Sequence, residues 1–317
     1  MNSLRGVETL KGGRAPLMGM KLDLVCMGHI LYDVRCYVDH LPKPDKTALI
    51  QSPIETSGGG SAANVAVNSA MLGMKAGIIG NVGSDHQGDF LLSNFRKFGV
   101  DVSQVKRMRG NSGTAIVVVD KSAEVEVIES VGVTEEKRTV DERYIANARF
   151  LHMTGADLEL LKKAGQIAKK KGTVALFDPG RSKSREGEGR LAPILKNCDY
   201  LFANRSEILL IGGKGDAKET ARRLAGEYGV TCVLKAGRDE IFVAGEEEFS
   251  LSPPRVNPVD TIGAGDAFSA GFICGLNEGK NLRDCVKMAM WSAVQKIMYR
   301  GAQSGISRGW VRKRAGV

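Results

Sequence analysis

Asp260-Thr261-Ile262-Gly263-Ala264-Gly265-Asp266-Ala267-Phe268 is the most informative run of the chain. Small and apolar residues follow it at helical spacing (Ala270, Gly271, Phe272, Ile273, Leu276), so a helix is expected to begin at the Gly-Ala-Gly-Asp turn. The backbone N–H groups of Gly263, Ala264, Gly265 and Asp266 then point outward without helical partners, and the helix dipole adds positive charge to them. Glycine lets an anion approach the backbone closely. A carboxylate among such donors would repel the anion they attract, unless Asp266 takes a proton: an acid there can accept a hydroxyl proton while the amides hold charge on a migrating group. A capped helix start with two packing glycines is the competing reading of these four residues.

Composition narrows the field. The 317 residues are 43% apolar with 39 glycines, which fits an α/β protein with many tight turns. No apolar run is long enough to span a bilayer as a helix. Cys26, Cys36, Cys198, Cys232, Cys274 and Cys285 are scattered, with no Cys-x-x-Cys and no grouping with histidine, so they read as reduced cysteines of a cytoplasmic protein and not as zinc ligands. The net charge of +9 is spread among 36 acids, apart from a basic tail over 308–314. That tail lacks aromatic interleaving, so nucleic-acid binding is not expected. Residues 1–20 show no secretory pattern and read as an extension outside the domain, disordered or non-native.

Upstream of the turn, Leu22–Gly28 reads as a buried strand of a parallel sheet, with Asp33 five residues beyond its carboxyl end. The stretches 34–40, 47–55, 114–120 and 124–131 alternate apolar and polar residues, so two insertions, about 34–55 and 114–131, are expected to build a small protruding sheet that acts as a lid. Between them Ser57-Gly58-Gly59-Gly60-Ser61-Ala62-Ala63-Asn64 is a glycine-rich loop entering a helix. Gly58-x-Gly60-x-x-Ala63 formally matches a dinucleotide fingerprint. A Rossmann dehydrogenase is nevertheless disfavoured, because the preceding Gln51–Thr56 is polar and contains Pro53. No G-x-x-x-x-G-K-[ST] occurs, which excludes a P-loop.

From residue 75 apolar runs alternate with amphipathic ones: strands at 76–80, 150–153, 174–177, 200–203 and 231–234, helices at 87–98, 157–171, 190–196 and 216–228. This rhythm predicts a mainly parallel sheet with helices on both faces. Thr154-Gly155, Asp178-Pro179-Gly180 and Asn204-Arg205-Ser206-Glu207 follow successive strands, as polar groups of a shared cleft would.

Together these residues resemble the ribokinase-like, or PfkB, family of carbohydrate and nucleoside kinases. The resemblance covers about residues 21–305 and rests on Gly58–Gly73, Asp260–Phe272 and the intervening Asn204-x-x-Glu207. It implies a three-layer α/β/α domain over 21–317 with a β-sheet lid, and ATP- and Mg²⁺-dependent transfer of the γ-phosphoryl group to a sugar hydroxyl. By the same resemblance Asp266 is the base, and Gly263, Ala264 and Gly265 form the anion hole. Asp33, Gly59, Gly60 and Asn64 hold the sugar; Asn204 and Glu207 order magnesium through water, although Asn204 also suits a helix cap. Lys235 and Gly237 match the glycine turn against the nucleotide, and Gly301 the border of the adenine.

The family's ribokinase has an asparagine and a lysine where this chain has Leu31 and Ser61, which places nucleosides ahead of free sugars such as ribose or fructose, with a sugar phosphate next. Ile262 replaces a common threonine and leaves activation by a monovalent cation open. The resemblance further implies a homodimer through the lid, with no membrane partner. A nucleotide-binding regulator without turnover is disfavoured because Asp266, Asn204 and Glu207 are all present.

Overall fold

A computed structural model describes residues 22–317, except 123, 137, 236 and 238; the expected extension over 1–20 lies outside the described residues. In chain order the first half runs β1 (Leu22–Met27), β2 (Leu31–Tyr37), β3 (Glu55–Gly59), α1 (Ser61–Met71), β4 (Ala76–Gly83), α2 (His86–Lys97), β5 (Asp101–Met108), β6 (Gly113–Val119), β7 (Val125–Ser130), α3 (Glu142–Ala146) and β8 (Ala148–Met153). The second half runs α4 (Leu158–Lys171), β9 (Val174–Phe177), α5 (Gly180–Ser184), α6 (Gly187–Leu195), β10 (Tyr200–Asn204), α7 (Arg205–Gly212), α8 (Ala217–Tyr228), β11 (Thr231–Lys235), β12 (Ile241–Ala244), β13 (Phe249–Leu251), α9 (Ala264–Asn277), α10 (Leu282–Ile297) and α11 (Arg308–Ala315).

Nine strands form the main sheet in the order β13-β12-β11-β10-β9-β8-β1-β4-β5. All its pairings are parallel except those of β12 with β11 and β13. The apolar runs are continuous because both faces are covered. Alternate residues enter two cores: Cys26, Ile78, Phe150, Leu176 and Phe202 pack with α1, α9 and α10 on one face. Val25, Met27, Leu151, Phe177 and Leu201 pack with α4, α6, α7 and α8 on the other. Asp85, Asp157, Asp216 and Asn281 each accept N–H groups at the start of a helix, which fixes where α2, α4, α8 and α10 begin.

A second, four-stranded sheet, β3-β2-β6-β7, supplies the lid. Its inner face carries Leu31, Ala115, Val117 and Val119, packed on Ile262 beside the Gly-Ala-Gly-Asp turn. One expected strand is absent: 47–55 is irregular apart from a bridge between Ile50 and Val38, and Pro53 withholds an N–H from any ladder there. The fourth lid strand is instead β3, which contains the first glycines of the loop. Three strands of the main sheet, β5, β12 and β13, were not anticipated; β5 mixes polar and apolar residues at a sheet edge, and the other two are short.

Candidate active site

Strand β1 lies where the sheet order reverses, with β8 on one side and β4 on the other. Carboxyl strand ends at such a point form a crevice, and the helix that points into it is α9. Gly263 is its N-cap with φ +74°, a left-handed conformation that glycine adopts without strain. A Cβ there would also lie 2.7 Å from Cβ of Ala302. The N–H of Ala264 donates to the carbonyl of Thr261 at 3.2 Å, so the outward donors of the first turn are those of Gly265 and Asp266.

Asp266 occupies the third helical position. Its Oδ2 accepts a hydrogen bond from Nδ2 of Asn64 at 2.8 Å, which joins the two glycine turns across the crevice. Burial pushes its carboxyl up to about 6; Asp178 adds to this, while Asn64, Lys235 and Ser61 oppose it. The group is therefore ionised at neutral pH yet close enough to its pKa to exchange a proton.

Asp33, buried on β2, faces the same space. Its carboxylate rests on Gly59, where an added Cβ would come within 1.9 Å of Asp33 Oδ1. Burial lifts this carboxyl to about 7, against the pull of Arg35 and with the help of Asp266 and Glu129. Gly60 (φ +87°) brings the backbone of α1 against the carbonyl of His29, 2.5 Å from an added Cβ. Asp33, Gly59, Gly60 and Asn64 thus cluster near Asp266, a set of acceptors and donors suited to hydroxyl groups.

A cleft of about 660 Å³ adjoins the turn at Gly265. Lys235, Gly237, Thr261, Ala264 and Gly265 line its polar end; Ile241, Val256, Met290, Val294 and Ile297 give an apolar slot beyond. The Lys235 ammonium sits 3.5 Å from an added Cβ on Gly265 and 2.6 Å from Oδ2 of Asp178. Burial alone would depress this ammonium, but the carboxylates of Asp178 and Glu207 hold it above its ordinary value. His152, buried beside Asp178 with neither ring nitrogen hydrogen-bonded, is kept neutral, since burial lowers its pKa to about 4.

Asn204 and Glu207 form a reciprocal capping box at the start of α7: Asn204 Oδ1 accepts from the N–H of Glu207 at 2.9 Å, and Glu207 Oε2 from that of Asn204 at 2.8 Å. Burial raises the Glu207 carboxyl, and the nearby Asp178 raises it further. No cage of three or more His, Cys, Asp or Glu exists among the described residues. Asp178 and Glu207 instead offer one or two carboxylates near Lys235, a donor set that suits a magnesium ion retaining most of its waters.

Gly301 stands apart from the cleft. Its N–H donates to Oδ2 of Asp260 at 2.8 Å, and its α-carbon lies over Arg35. Asp260, fully buried, also accepts from the N–H of Ile262 at 2.9 Å, and its main-chain carbonyl accepts from the buried Lys296 ammonium at 2.8 Å. Arg35 lies 3.8 Å from both Asp33 and Asp260, linking the lid strand to the anion turn. Sequence reasoning attached no role to Arg35, Lys296, Asn94 or Gln303. No local pattern marks them, since similar polar and charged residues stand beside each in the sequence.

A profile described as pfkB family carbohydrate kinase matches residues 21–308. An ATP-dependent ribose-1-phosphate kinase of Halopiger xanaduensis is 36% identical over 251 residues, covering 78% of this chain and 82% of the relative. A sugar kinase of Archaeoglobus fulgidus is 33% identical over 246 residues, covering 75% and 97%. Among solved structures, a ribokinase from Thermotoga maritima superposes with a TM-score of 0.80 at 26% identity, covering 93% of this chain and all of that one.

Proposed function

The chain belongs to the pfkB family of carbohydrate kinases and is a phosphotransferase with an alcohol acceptor; from that premise we propose that it moves the γ-phosphoryl group of ATP to a hydroxyl of a ribose bearing a substituent at C1, with Asp266 as the base. The observation that carries this reading is the position of Asp266, at the start of α9 between the hydroxyl pocket of Asp33 and the cleft edged by Gly265 and Lys235.

In this reading the apolar slot takes the nucleobase of ATP and the polar end takes its phosphates. Asp33 and the turn at Gly59 and Gly60 grip the ring hydroxyls, which leaves one further hydroxyl to meet Asp266. Asp266 accepts its proton as the oxygen attacks phosphorus in line. The N–H groups of Gly265 and Asp266 and the Lys235 ammonium stabilise charge on the transferred group. Asp178 and Glu207 would hold magnesium through water, and the ion would supply positive charge against the phosphates.

Nucleosides and ribose 1-phosphate share this ring chemistry. Leu31 and Ser61, uncharged at the pocket, favour a nucleoside. A sugar phosphate is favoured by the activity named for the Halopiger relative and by His29, whose carbonyl packs against Gly60, and Lys183, which both lie 3.1 Å from Glu135 and offer donors to an anion. We also infer a homodimer through the outer face of the lid, where Val34, Ile116 and Ile128 align across three strands with Ile116 41% and Ile128 67% exposed.

The test is ADP release by purified protein with ATP and Mg²⁺ over a panel of nucleosides, ribose 1-phosphate, ribose and fructose. Turnover with nucleosides or ribose 1-phosphate exceeding that with free sugars supports the proposal. Turnover confined to free sugars refutes the C1-substituted acceptor, and none with any acceptor refutes the reading altogether.

A further inference from the structure

Asp266 ends a row of three side-chain amides drawn from distant parts of the chain. Asn64 Nδ2 donates to Asp266 Oδ2 at 2.8 Å, Gln303 Nε2 donates to Asn64 Oδ1 at 3.0 Å, and Asn94 Nδ2 donates to Gln303 Oε1 at 2.7 Å. These residues sit on α9, α1, the segment between α10 and α11, and α2. Gly58 of β3 leaves room for the row, since a Cβ there would lie 2.8 Å from Asn94 Nδ2 and 3.0 Å from Gln303 Oε1. The segment that carries Gln303 is pinned just before it: Gly301 donates to Asp260, and the carbonyl of Ala302 accepts from Asn68 Nδ2 at 3.3 Å.

An ionised carboxylate only accepts, so Asn64 must turn its NH₂ toward Asp266 and its carbonyl away. That carbonyl needs a donor, which among the described residues the NH₂ of Gln303 supplies, and the carbonyl of Gln303 in turn needs the NH₂ of Asn94. Reversing one amide reverses the next, and the last reversal would aim a carbonyl oxygen at the base.

We propose that Gln303 and Asn94 are positioning residues which, through this row, keep the NH₂ of Asn64 on Asp266 and so hold the carboxylate ready to accept a proton. The proposal rests on Asp266 as the base. The other groups that act on Asp266 are Ser61 of α1, Asp178 after β9, Lys235 of β11, Asp33 of β2, Cys26 of β1 and Lys296 of α10, and a substitution at residue 94 replaces none of them.

Asn94→Asp is the deciding variant. A carboxylate at 94 draws the NH₂ of Gln303 to itself, which presents the Gln303 carbonyl to Asn64 and turns the Asn64 carbonyl onto Asp266. The acidic limb of the kcat/KM profile should then rise by about one pH unit, tenfold in proton affinity. Asn94→Leu, which loosens the row without reversing it, should raise the limb by a smaller amount. Asn94→Asp combined with Gln303→Leu keeps the new charge but cuts the row, and should place the limb where Gln303→Leu alone places it, short of the Asn94→Asp shift. Gln303→Glu, should Asn94→Asp not fold, ought to raise the limb at least as far.

Titration of the Asp266 carboxyl by ¹³C NMR, assigned by its loss in Asp266→Asn, reads the same shift without turnover. An unmoved limb and unmoved carboxyl titration in Asn94→Asp, or a full shift that survives Gln303→Leu, overturns the proposal. Undiminished turnover in Asp266→Asn instead overturns the base assignment, whatever the titration shows.

Discussion

Replacing Asp266 by asparagine should make the protein harder to melt while disabling it. Burial lifts this carboxyl from 3.8 to about 6, so the folded state binds its proton more tightly than the unfolded chain does. Such a group costs no stability well below pH 3.8, where both states are protonated, and little at pH 4. The cost then grows as the pH rises toward 6 and levels off above it. Two pH units correspond to about 3 kcal/mol, and the amide, nearly the same shape, avoids that cost while still accepting from Asn64. For a chain of this size the gain is worth about 5 °C in melting temperature. Thermal unfolding followed by near-UV circular dichroism at pH 4, 5, 6 and 8 should therefore show variant and parent together at pH 4 and diverging to a plateau by pH 8. A variant that melts no higher than the parent at pH 8, or a gap that ignores pH, would refute a strained base held in a desolvated pocket.

Lys235→Met should weaken nucleotide binding about tenfold, the weight of one charge-assisted hydrogen bond, as measured by calorimetry with a non-hydrolysable ATP analogue. Gly59→Ala places a methyl group where Asp33 now rests, so KM for the acceptor should rise about tenfold or more with little change in nucleotide affinity. Because the Lys296 ammonium already lies on the Asp260 carbonyl beneath the anion turn, turnover is expected to be the same in potassium-free and potassium-containing buffer. Ile128→Glu on the outer face of the lid should shift the mass seen by light scattering from dimer to monomer.

Much of the architecture is legible in local pattern. Leu22–Gly28 and the later strand-helix alternation carry both the buried runs and the caps that start their helices, and those elements form within three residues of the expected ends. Weak pattern accounts for the exceptions: 47–55 alternates like a strand but carries a proline, whereas β5 pairs at an edge with a sequence too polar to announce burial. At the site, Gly263 to Asp266 and the loop at Gly59 and Gly60 are recognisable because close backbone approach demands glycine. Contacts between distant segments are a different matter. Nothing local indicates that Lys235 meets Asp178, that Arg35 spans Asp33 and Asp260, or that Gln303 reaches Asn64, since each contact is made by the packing of whole layers. Asn204 and Glu207 could be read as a cap or as a metal-ordering pair. The cap is what their hydrogen bonds form, and it leaves the Glu207 carboxylate beside Asp178.

Single-turnover phosphoryl transfer in Asp266→Asn, measured with saturating ATP, Mg²⁺ and the best acceptor from the panel, tests the central claim most directly. The account predicts nucleotide affinity close to that of the parent and a transfer rate lower by about two to four orders of magnitude, the range expected for loss of a general base. A variant that transfers phosphate at the parental rate would contradict it.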